Sequence, residues 1–364
     1  MTANAPSALA PGTVEELVDA VRSEARVIPV GARTKPRLSD VEARAISLRR
    51  FSGWVEYEPG EFTFTALAGT PIREIQRVLA ESGQHLPFDP MLAASGATLG
   101  GTVASGLSGP GRFRFGGIRD FILGVRFVDG AGRVLRMGGK VVKNAAGFDL
   151  PKFFVGSLGR WGILVELTFK VFPLPEASRT LDLTVWDIDD ASRVLGEMSV
   201  NRWEPRAVEL LPCGRRLLLR IGGPERALKP IADEILRRWP GEVLDAATAD
   251  ALWSDLAEFR WAHADGTLLK IPLTPVRMPE LARACRSAGD VRLQCGAGGN
   301  VAYVSLAPEA SASTLQSGLS AMGLTGLALR GSGPLWWGER PVTGVEPALR
   351  RALDAETRFP ETDA

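Results

Sequence analysis

The sequence predicts an α+β protein with two lobes, the second smaller than the first. Three observations carry that expectation. Short strand-like apolar runs alternate with amphipathic helical runs along the chain. Pro173-Leu-Pro175 interrupts this alternation and marks a boundary. Beyond it, strand–helix–strand units come in two similar halves, which suggests an antiparallel sheet. The domains expected from this are residues 1–175, residues 176–330 and a C-terminal segment, 331–364, that packs back on the first.

The elements follow in order. Thr13-Val-Glu-Glu16 reads as a capping box opening a helix that runs to about Ala25. Val27–Val30 is a short buried strand that ends in the loop Gly31-Ala-Arg-Thr-Lys-Pro36. Ala45–Leu48 and Glu61–Leu67 are strands, the latter alternating as a half-buried strand does. Thr70-Pro71 starts a second helix, with Thr70 as its cap, Ile72, Ile75, Val78 and Leu79 on one face and Gly83 as its stop. Gly124–Val128 and Arg133–Met137 form a hairpin across Asp129-Gly-Ala-Gly132, and Ile163–Phe172 is a further strand. In the second lobe, strands at Leu181–Trp186, Val208–Leu211 and Arg216–Ile221 accompany helices near Ala191–Met198 and Pro224–Trp239. The second half repeats this with strands Leu268–Ile271, Val291–Cys295 and Ala302–Leu306 and a helix at Pro279–Ser287.

Bulk properties exclude some functions. Lys plus Arg number 43 and Asp plus Glu 42, a formal net charge of +1, without the basic excess of a nucleic-acid binder. The three cysteines, Cys213, Cys285 and Cys295, form no C-x-x-C and cannot hold an iron–sulfur cluster alone. They suggest a reducing compartment. No signal-peptide pattern and no apolar run of spanning length is present, so the expectation is a cytoplasmic protein, with membrane contact through partners left open.

From Ser95 to Gly117 the texture changes: glycines stand at 96, 100, 101, 106, 109, 111, 116 and 117. Glycine lets the backbone approach a ligand closely, so that consecutive N–H groups can cradle a phosphate. Thr98, Thr102 and Ser105 add hydroxyls. The alternative is an ordinary flexible loop, but Leu99, Val103 and Leu107 recur at helical spacing through the stretch. Neither the Rossmann G-x-G-x-x-G after the first strand nor a P-loop is present. A cradle made from two separated loops, Gly31–Pro36 and Ser95–Gly106, needs another architecture.

Several ordered motifs narrow it. Leu86-Pro-Phe-Asp-Pro90, Ala97-Thr-Leu-Gly-Gly-Thr-Val-Ala104, Phe115-Gly-Gly-Ile-Arg-Asp120 and Leu123-Gly124 resemble the FAD-binding domain of the vanillyl-alcohol oxidase and p-cresol methylhydroxylase (PCMH) superfamily. So do Gly138–Leu150, Gly156-Ser-Leu-Gly159 and Gly162-Ile-Leu-Val-Glu166. The block with Lys143-Asn144 and Gly147-Phe-Asp149 is similar to the FAD-binding subunits of bacterial glycolate oxidases and close 2-hydroxy-acid dehydrogenases. The resemblance is strong over about Val27–Pro175 and weaker beyond.

It implies a PCMH-type two-lobed FAD-binding domain followed by an α+β lobe. It also implies site residues. Gly31, Ala32, Arg33, Thr34 and Lys35 match the first pyrophosphate loop, and Pro90, Ala97, Thr98, Gly100, Gly101 and Ala104 the second. Arg119 and Asp120 match a turn near the flavin, and Gly162 and Ile163 a strand whose backbone meets the cofactor. The activity implied is transfer of a hydride from the α-carbon of a 2-hydroxy acid to FAD. The implied partners are a second FAD-binding catalytic subunit and an iron–sulfur subunit that takes the electrons.

Departures from the family matter for mechanism. Ala32 and Arg33 replace glycines, so a positive φ at Arg33 would be strained. His85 does not occupy a flavin-tethering position, which favours non-covalent FAD. Catalytic subunits carry His-x-Gly-Asp-Gly-Asn and a further His; here stand Cys295-Gly-Ala-Gly-Gly-Asn300 and Ala302. The family's C-terminal Asp-Pro-x-x-x-Phe-Asn-Pro-Gly-Arg is eroded to Leu353-Asp-Ala-Glu-Thr-Arg-Phe-Pro360. His263, two residues from Asp265, is either a second candidate base or a solvent-facing loop residue, and Trp336-Trp337 is read as packing or interface, with flavin stacking as the alternative. No catalytic residue is assigned. Besides the complex subunit, two readings stay open: a self-sufficient FAD-dependent alcohol or sugar oxidase, and a structural subunit that binds FAD weakly.

Overall fold

The computed structural model describes residues 8–139, 150–340 and 344–361. Lys143, Asn144 and Asp149 lie outside them. The chain divides into two units. The first comprises Met1–Ser108, Gly117–Leu174 and Val342–Ala364, so far as these are described, and the second comprises Gly109–Gly116 and Pro175–Pro341.

The first unit begins with helix α1 (Val14–Ser23), whose cap Thr13 accepts from the Glu16 N–H at 3.2 Å and whose Leu17 and Val21 are buried. Strands β1 (Val27–Val30) and β2 (Arg44–Ser47) pair in parallel. Strands β3 (Trp54–Glu58) and β4 (Thr63–Leu67) lead into α2 (Ile72–Glu81). Thr70 does not cap α2: its Oγ1 instead accepts from Gly53 N–H at 2.9 Å and donates to Gly53 O, so Pro71 precedes the helix. Strand β5 (Gln84–His85) follows, and then α3 (Leu99–Ser105), which ends at Gly106 in the left-handed region. Helix α4 (Arg112–Phe115) falls in the second unit. Strands β6 (Ile122–Val128) and β7 (Val134–Gly138) form the expected hairpin. Helix α5 (Leu150–Phe153) and strands β8 (Ile163–Lys170) and β9 (Phe172–Pro173) complete this stretch.

Five strands make an antiparallel sheet in the order β3-β4-β8-β6-β7, and β5 pairs with β9. Strand side chains alternate between faces. One face buries Phe64, Leu167, Phe169 and Phe127, with the Phe64 and Phe169 rings stacked 5.8 Å apart. The other carries Thr65, Thr168, Arg126 and the Glu166 that Arg126 holds at 2.5 Å.

The second unit holds a nine-stranded sheet. Its first half runs β10 (Ala177–Thr184), α6 (Ile188–Ser199), β11 (Ala207–Leu210), β12 (Arg216–Gly223), α7 (Glu225–Arg238) and β13 (Gly241–Val243). Helix α8 (Ala246–Ala257) links it to the second half: β14 (Thr267–Pro272), α9 (Met278–Ser287), β15 (Val291–Gly296), β16 (Val301–Leu306), α10 (Ala312–Ala321) and β17 (Thr325–Arg330). Strand β18 (Trp336–Gly338) closes one edge. The strand order β13-β10-β12-β11-β15-β16-β14-β17-β18 shows that each half is a β-α-β-β-α-β unit with its first strand inside. The halves join where Leu210 pairs with Cys295. Helices α6, α7, α9 and α10 bury one face of the sheet, while Trp253 and Leu256 of α8 pack on Leu218 of the other. Helix α11 (Glu346–Leu353) returns the chain to the first unit.

Candidate functional site

Three backbone segments of the first unit converge around a partly open cavity. The first is the loop that leaves β1. Gly31, Ala32, Arg33, Thr34 and Lys35 all line the cavity. Arg33 adopts φ 56°, the left-handed conformation whose strain the sequence foreshadowed. Lys35 is buried and its Nζ donates to Thr34 Oγ1 at 2.9 Å.

The second segment is α3. Thr98 is its cap, accepting from the Gly101 N–H at 3.3 Å. A Cβ on Gly31 would lie 2.4 Å from Thr98 Oγ1, and one on Gly100 only 2.8 Å from the Ala68 Cβ. Only glycine lets the three chains approach this closely. Thr98, Gly100, Gly101, Ala104 and Ser105 all face the cavity.

The third segment is the turn before β8. Leu158 and Gly159 take successive left-handed conformations, φ 55° and 72°, and the turn is pinned to α3 by Leu158 N–H donating to Ala104 O at 2.9 Å. Ser157, Leu158, Gly159 and Gly162 line the cavity, and Ser157 Oγ is buried there with no hydrogen-bond partner among the described residues. Lys35 and Arg33, backbone held close by glycine, and this unsatisfied hydroxyl make a donor set that fits an anionic cofactor such as the FAD pyrophosphate.

The residues expected from sequence therefore divide. Gly31, Ala32, Arg33, Thr34, Lys35, Thr98, Gly100, Gly101, Ala104 and Gly162 meet at one cavity. Pro90, Ala97 and Ile163 are buried, Arg119 and Asp120 are exposed, and none of the five lines it. Asp120 instead closes its own turn, accepting from Gly117 N–H at 2.8 Å. Ser157, Leu158 and Gly159 are among the lining residues that sequence reasoning leaves without a role, although the glycines at 156 and 159 that bracket them were a usable signal. Neither histidine lines the cavity: His85 sits in β5 against Phe172 O, and His263 lies in the second unit.

Residues 6–138 match the family described as an FAD binding domain. Glycolate oxidase subunit GlcE of Escherichia coli (strain K12) is 35% identical over 264 residues, 71% of this chain and 72% of that one. The chain belongs to the GlcE family of glycolate oxidase subunits. More partial matches include a D-2-hydroxyglutarate dehydrogenase of Xanthomonas citri pv. viticola, 31% identical over 50% of this chain and 40% of its own. Glycolate oxidase subunit GlcD of Bacillus subtilis (strain 168) is 31% identical over 43% of this chain and 33% of its own. The solved structure of p-cresol methylhydroxylase with substrate bound superposes with TM-score 0.73 at 13% identity, covering 97% of this chain and 87% of that one, which establishes a shared fold. The cofactor is FAD, as the matched domain requires.

The second unit shows why the His-x-Gly-Asp-Gly-Asn position is eroded. Cys295 lies near the end of β15, fully buried, and burial raises its thiol far above the ordinary range, which makes it inert. Ala297 N–H and Gln294 Nε2 both donate to the buried Glu209 carboxylate, at 2.9 and 2.8 Å. Gly298, at the aspartate position, has φ 65°, and a Cβ there would sit 2.3 Å from the Phe113 ring. No side chain fits. The turn is packed shut by its own neighbours.

His263 has a superficially catalytic setting. Its Nδ1 is 3.1 Å from Ser305 Oγ and its Nε2 is 3.3 Å from Asp290 Oδ2. But Ser305 is wholly buried and its Oγ also accepts the His263 N–H at 2.9 Å, so no reacting atom can reach it. The trio fixes a turn. Trp337 is buried with Nε1 donating to Pro334 O, and Trp336 packs under Arg340, so this pair serves packing.

Proposed function

We propose that this chain is the FAD-binding subunit of a complex that oxidises glycolate or a related 2-hydroxy acid to the 2-oxo acid. A member of the GlcE family, it is an FAD-dependent oxidoreductase acting on CH–OH groups. The first unit holds the cofactor through Gly31–Lys35, Thr98–Ala104 and Ser157–Gly162, with its two stretches before Pro175 as the FAD domain and Val342–Ala364 returning to it; the expected C-terminal boundary at 331 moves to 342, because β18 still belongs to the second unit's sheet. Bound FAD supplies the hydride acceptor. This chain's backbone and Lys35 hold its phosphates, and burial of the walls keeps water away from them.

The observation that carries the subunit reading is the closed turn at Gly298. A base that removes the hydroxyl proton needs an imidazole or carboxylate within reach of substrate. Here the Phe113 ring stands where the aspartate would, and the histidine position is a buried, inert cysteine. A second FAD-binding subunit therefore supplies the base, and an iron–sulfur subunit takes the electrons, because the three cysteines of this chain cannot ligate a cluster. No helix among the described residues is long and apolar enough to cross a membrane.

The test is anaerobic mixing of glycolate with the FAD-loaded chain, alone and with its co-expressed partners. The expected result is flavin bleaching only in the assembled complex. Bleaching by the isolated chain at the rate of the complex would sink the reading in favour of a self-sufficient oxidase.

A further inference from the structure

Arg33 holds a backbone conformation that the fold alone does not account for. Its φ of 56° lies in the left-handed region, which glycine enters freely and other residues enter at a cost. The side chain does not offset that cost by packing or pairing. Arg33 is exposed, and among the described residues its guanidinium makes no hydrogen bond or ion pair. It does line the cavity. Glycine at this position would carry the same turn without strain. An arginine kept in a strained conformation at a site points to a task there.

The chemistry of the walls indicates the task. Lys35 and Arg33 are the charged side chains among the described lining residues, and no Asp or Glu stands with them. The two cations differ in depth: Lys35 is buried, whereas Arg33 sits at the solvent rim. Gly31 and Gly100 let the backbone come close below them. This surface suits an anion better than a neutral ring. A guanidinium is planar, and its paired N–H donors match two phosphate oxygens at once.

We propose that Arg33 is a specificity-determining residue for the cofactor: a rim latch that reads the diphosphate rather than the flavin, so that the cradle also takes nucleoside diphosphates such as ADP in competition with FAD. This rests on the cradle reading above. It adds that the charge recognised lies in the half of FAD that ADP shares. In the loaded protein, charge-assisted bonds to phosphate offset the strain of the turn. Because Arg33 is exposed, salt screens its grip.

The test uses the full-length chain stripped of flavin. FAD binding is read by fluorescence quenching, ADP binding by competitive displacement of FAD, and melting temperature without ligand. Arg33→Gly is expected to weaken FAD and ADP by the same factor, about three- to tenfold, the size of an exposed charged contact. Without ligand it is expected to melt no lower than wild type, because the turn is relaxed. Arg33→Gln keeps the strain and loses the charge, and is expected to show the same losses. Arg33→Lys keeps the charge and is expected to stay within about threefold of wild type. Raising salt from about 0.02 to about 0.5 M is expected to bring wild type and Arg33→Gln within about twofold of each other. Wild-type affinity for both ligands in the Gly and Gln variants would overturn the proposal. So would a loss for FAD alone, which would put Arg33 on the flavin, a gap that salt leaves unchanged, or equal losses in the Lys and Gln variants. FAD binding by the wild type with no displacement by ADP would overturn this proposal alone, whereas failure of the wild type to bind FAD would sink the cradle reading.

Discussion

Gly31→Ala puts the cradle geometry to a quantitative test. The added methyl would lie 2.4 Å from Thr98 Oγ1, so the threonine must leave its capping rotamer. That rotamer accepts the Gly101 N–H at the start of α3. Loss of the cap costs about 1 kcal/mol, and an off-rotamer side chain adds about 1 kcal/mol. Gly31→Ala is therefore expected to destabilise the FAD-free chain by roughly 2 kcal/mol. Thr98→Ala, which loses only the cap, is expected to cost about 1 kcal/mol. The double variant has nothing left to collide with. It is expected to match Thr98→Ala, a coupling of about 2 kcal/mol between neighbouring sites. Urea denaturation of the four proteins measures this cycle. FAD titration of the same set is expected to show Gly31→Ala weakened about tenfold, equivalent to about 1.4 kcal/mol. A double variant whose loss equals the sum of the single losses would refute the contact on which the cradle is built.

Further outcomes follow from the second unit and the cysteines. In the native chain a thiol reagent is expected to modify Cys213, which is exposed, and to spare buried Cys295 and Cys285, whose thiol is pushed up to about 12; rapid modification of three thiols per folded chain would contradict this. Lys270 on β14 is lowered to about 8, first by burial and then by Arg112. A depressed lysine binds fewer protons folded than unfolded between that pH and its ordinary value. Wild-type stability is thus expected to rise relative to Lys270→Met as pH increases from about 8 to 10.5, and a melting-temperature difference that is flat with pH would count against it. Gly298→Asp restores the family residue but meets the Phe113 ring and a left-handed backbone, so it is expected to lower stability by about 3 kcal/mol without creating turnover in the isolated chain.

Much of the fold was legible because its signals are local. The Thr13 cap, the Asp129–Gly132 hairpin turn and the helical faces of α2 and α9 are each written within a few residues. Thr70 misled because an N-cap pattern says nothing about a competing long-range bond, here to Gly53. Helix α3 was half visible: Leu99 and Val103 have helical spacing, but the glycines that let it approach Ala68 read as a loop. Strand β3 and helices α8, α10 and α11 were not anticipated. The matching strand order of the two halves of the second unit was also hidden, because topology depends on pairings such as Leu210 with Cys295 that no periodicity encodes.

The site shows the same division. Two of its three walls carry glycine spacing that announces a phosphate cradle. The third, Ser157–Gly159, becomes part of it only through its bonds to α3. Arg160 was invisible for another reason: an arginine reads as surface unless the fold buries it, as it does here. The loss of a catalytic aspartate could be read from the sequence; that the Phe113 ring leaves no room to restore it could not.

The most direct test of the central claim is an FAD titration of the flavin-free chain beside Ala104→Trp, whose indole would project from α3 into the cavity. The account predicts saturable binding of one FAD per chain by the wild type and none by the variant, with both circular dichroism spectra alike. Equal FAD binding by the two proteins would contradict it, because the cofactor would then lie somewhere other than the cavity formed by the Gly31, Thr98 and Ser157 walls.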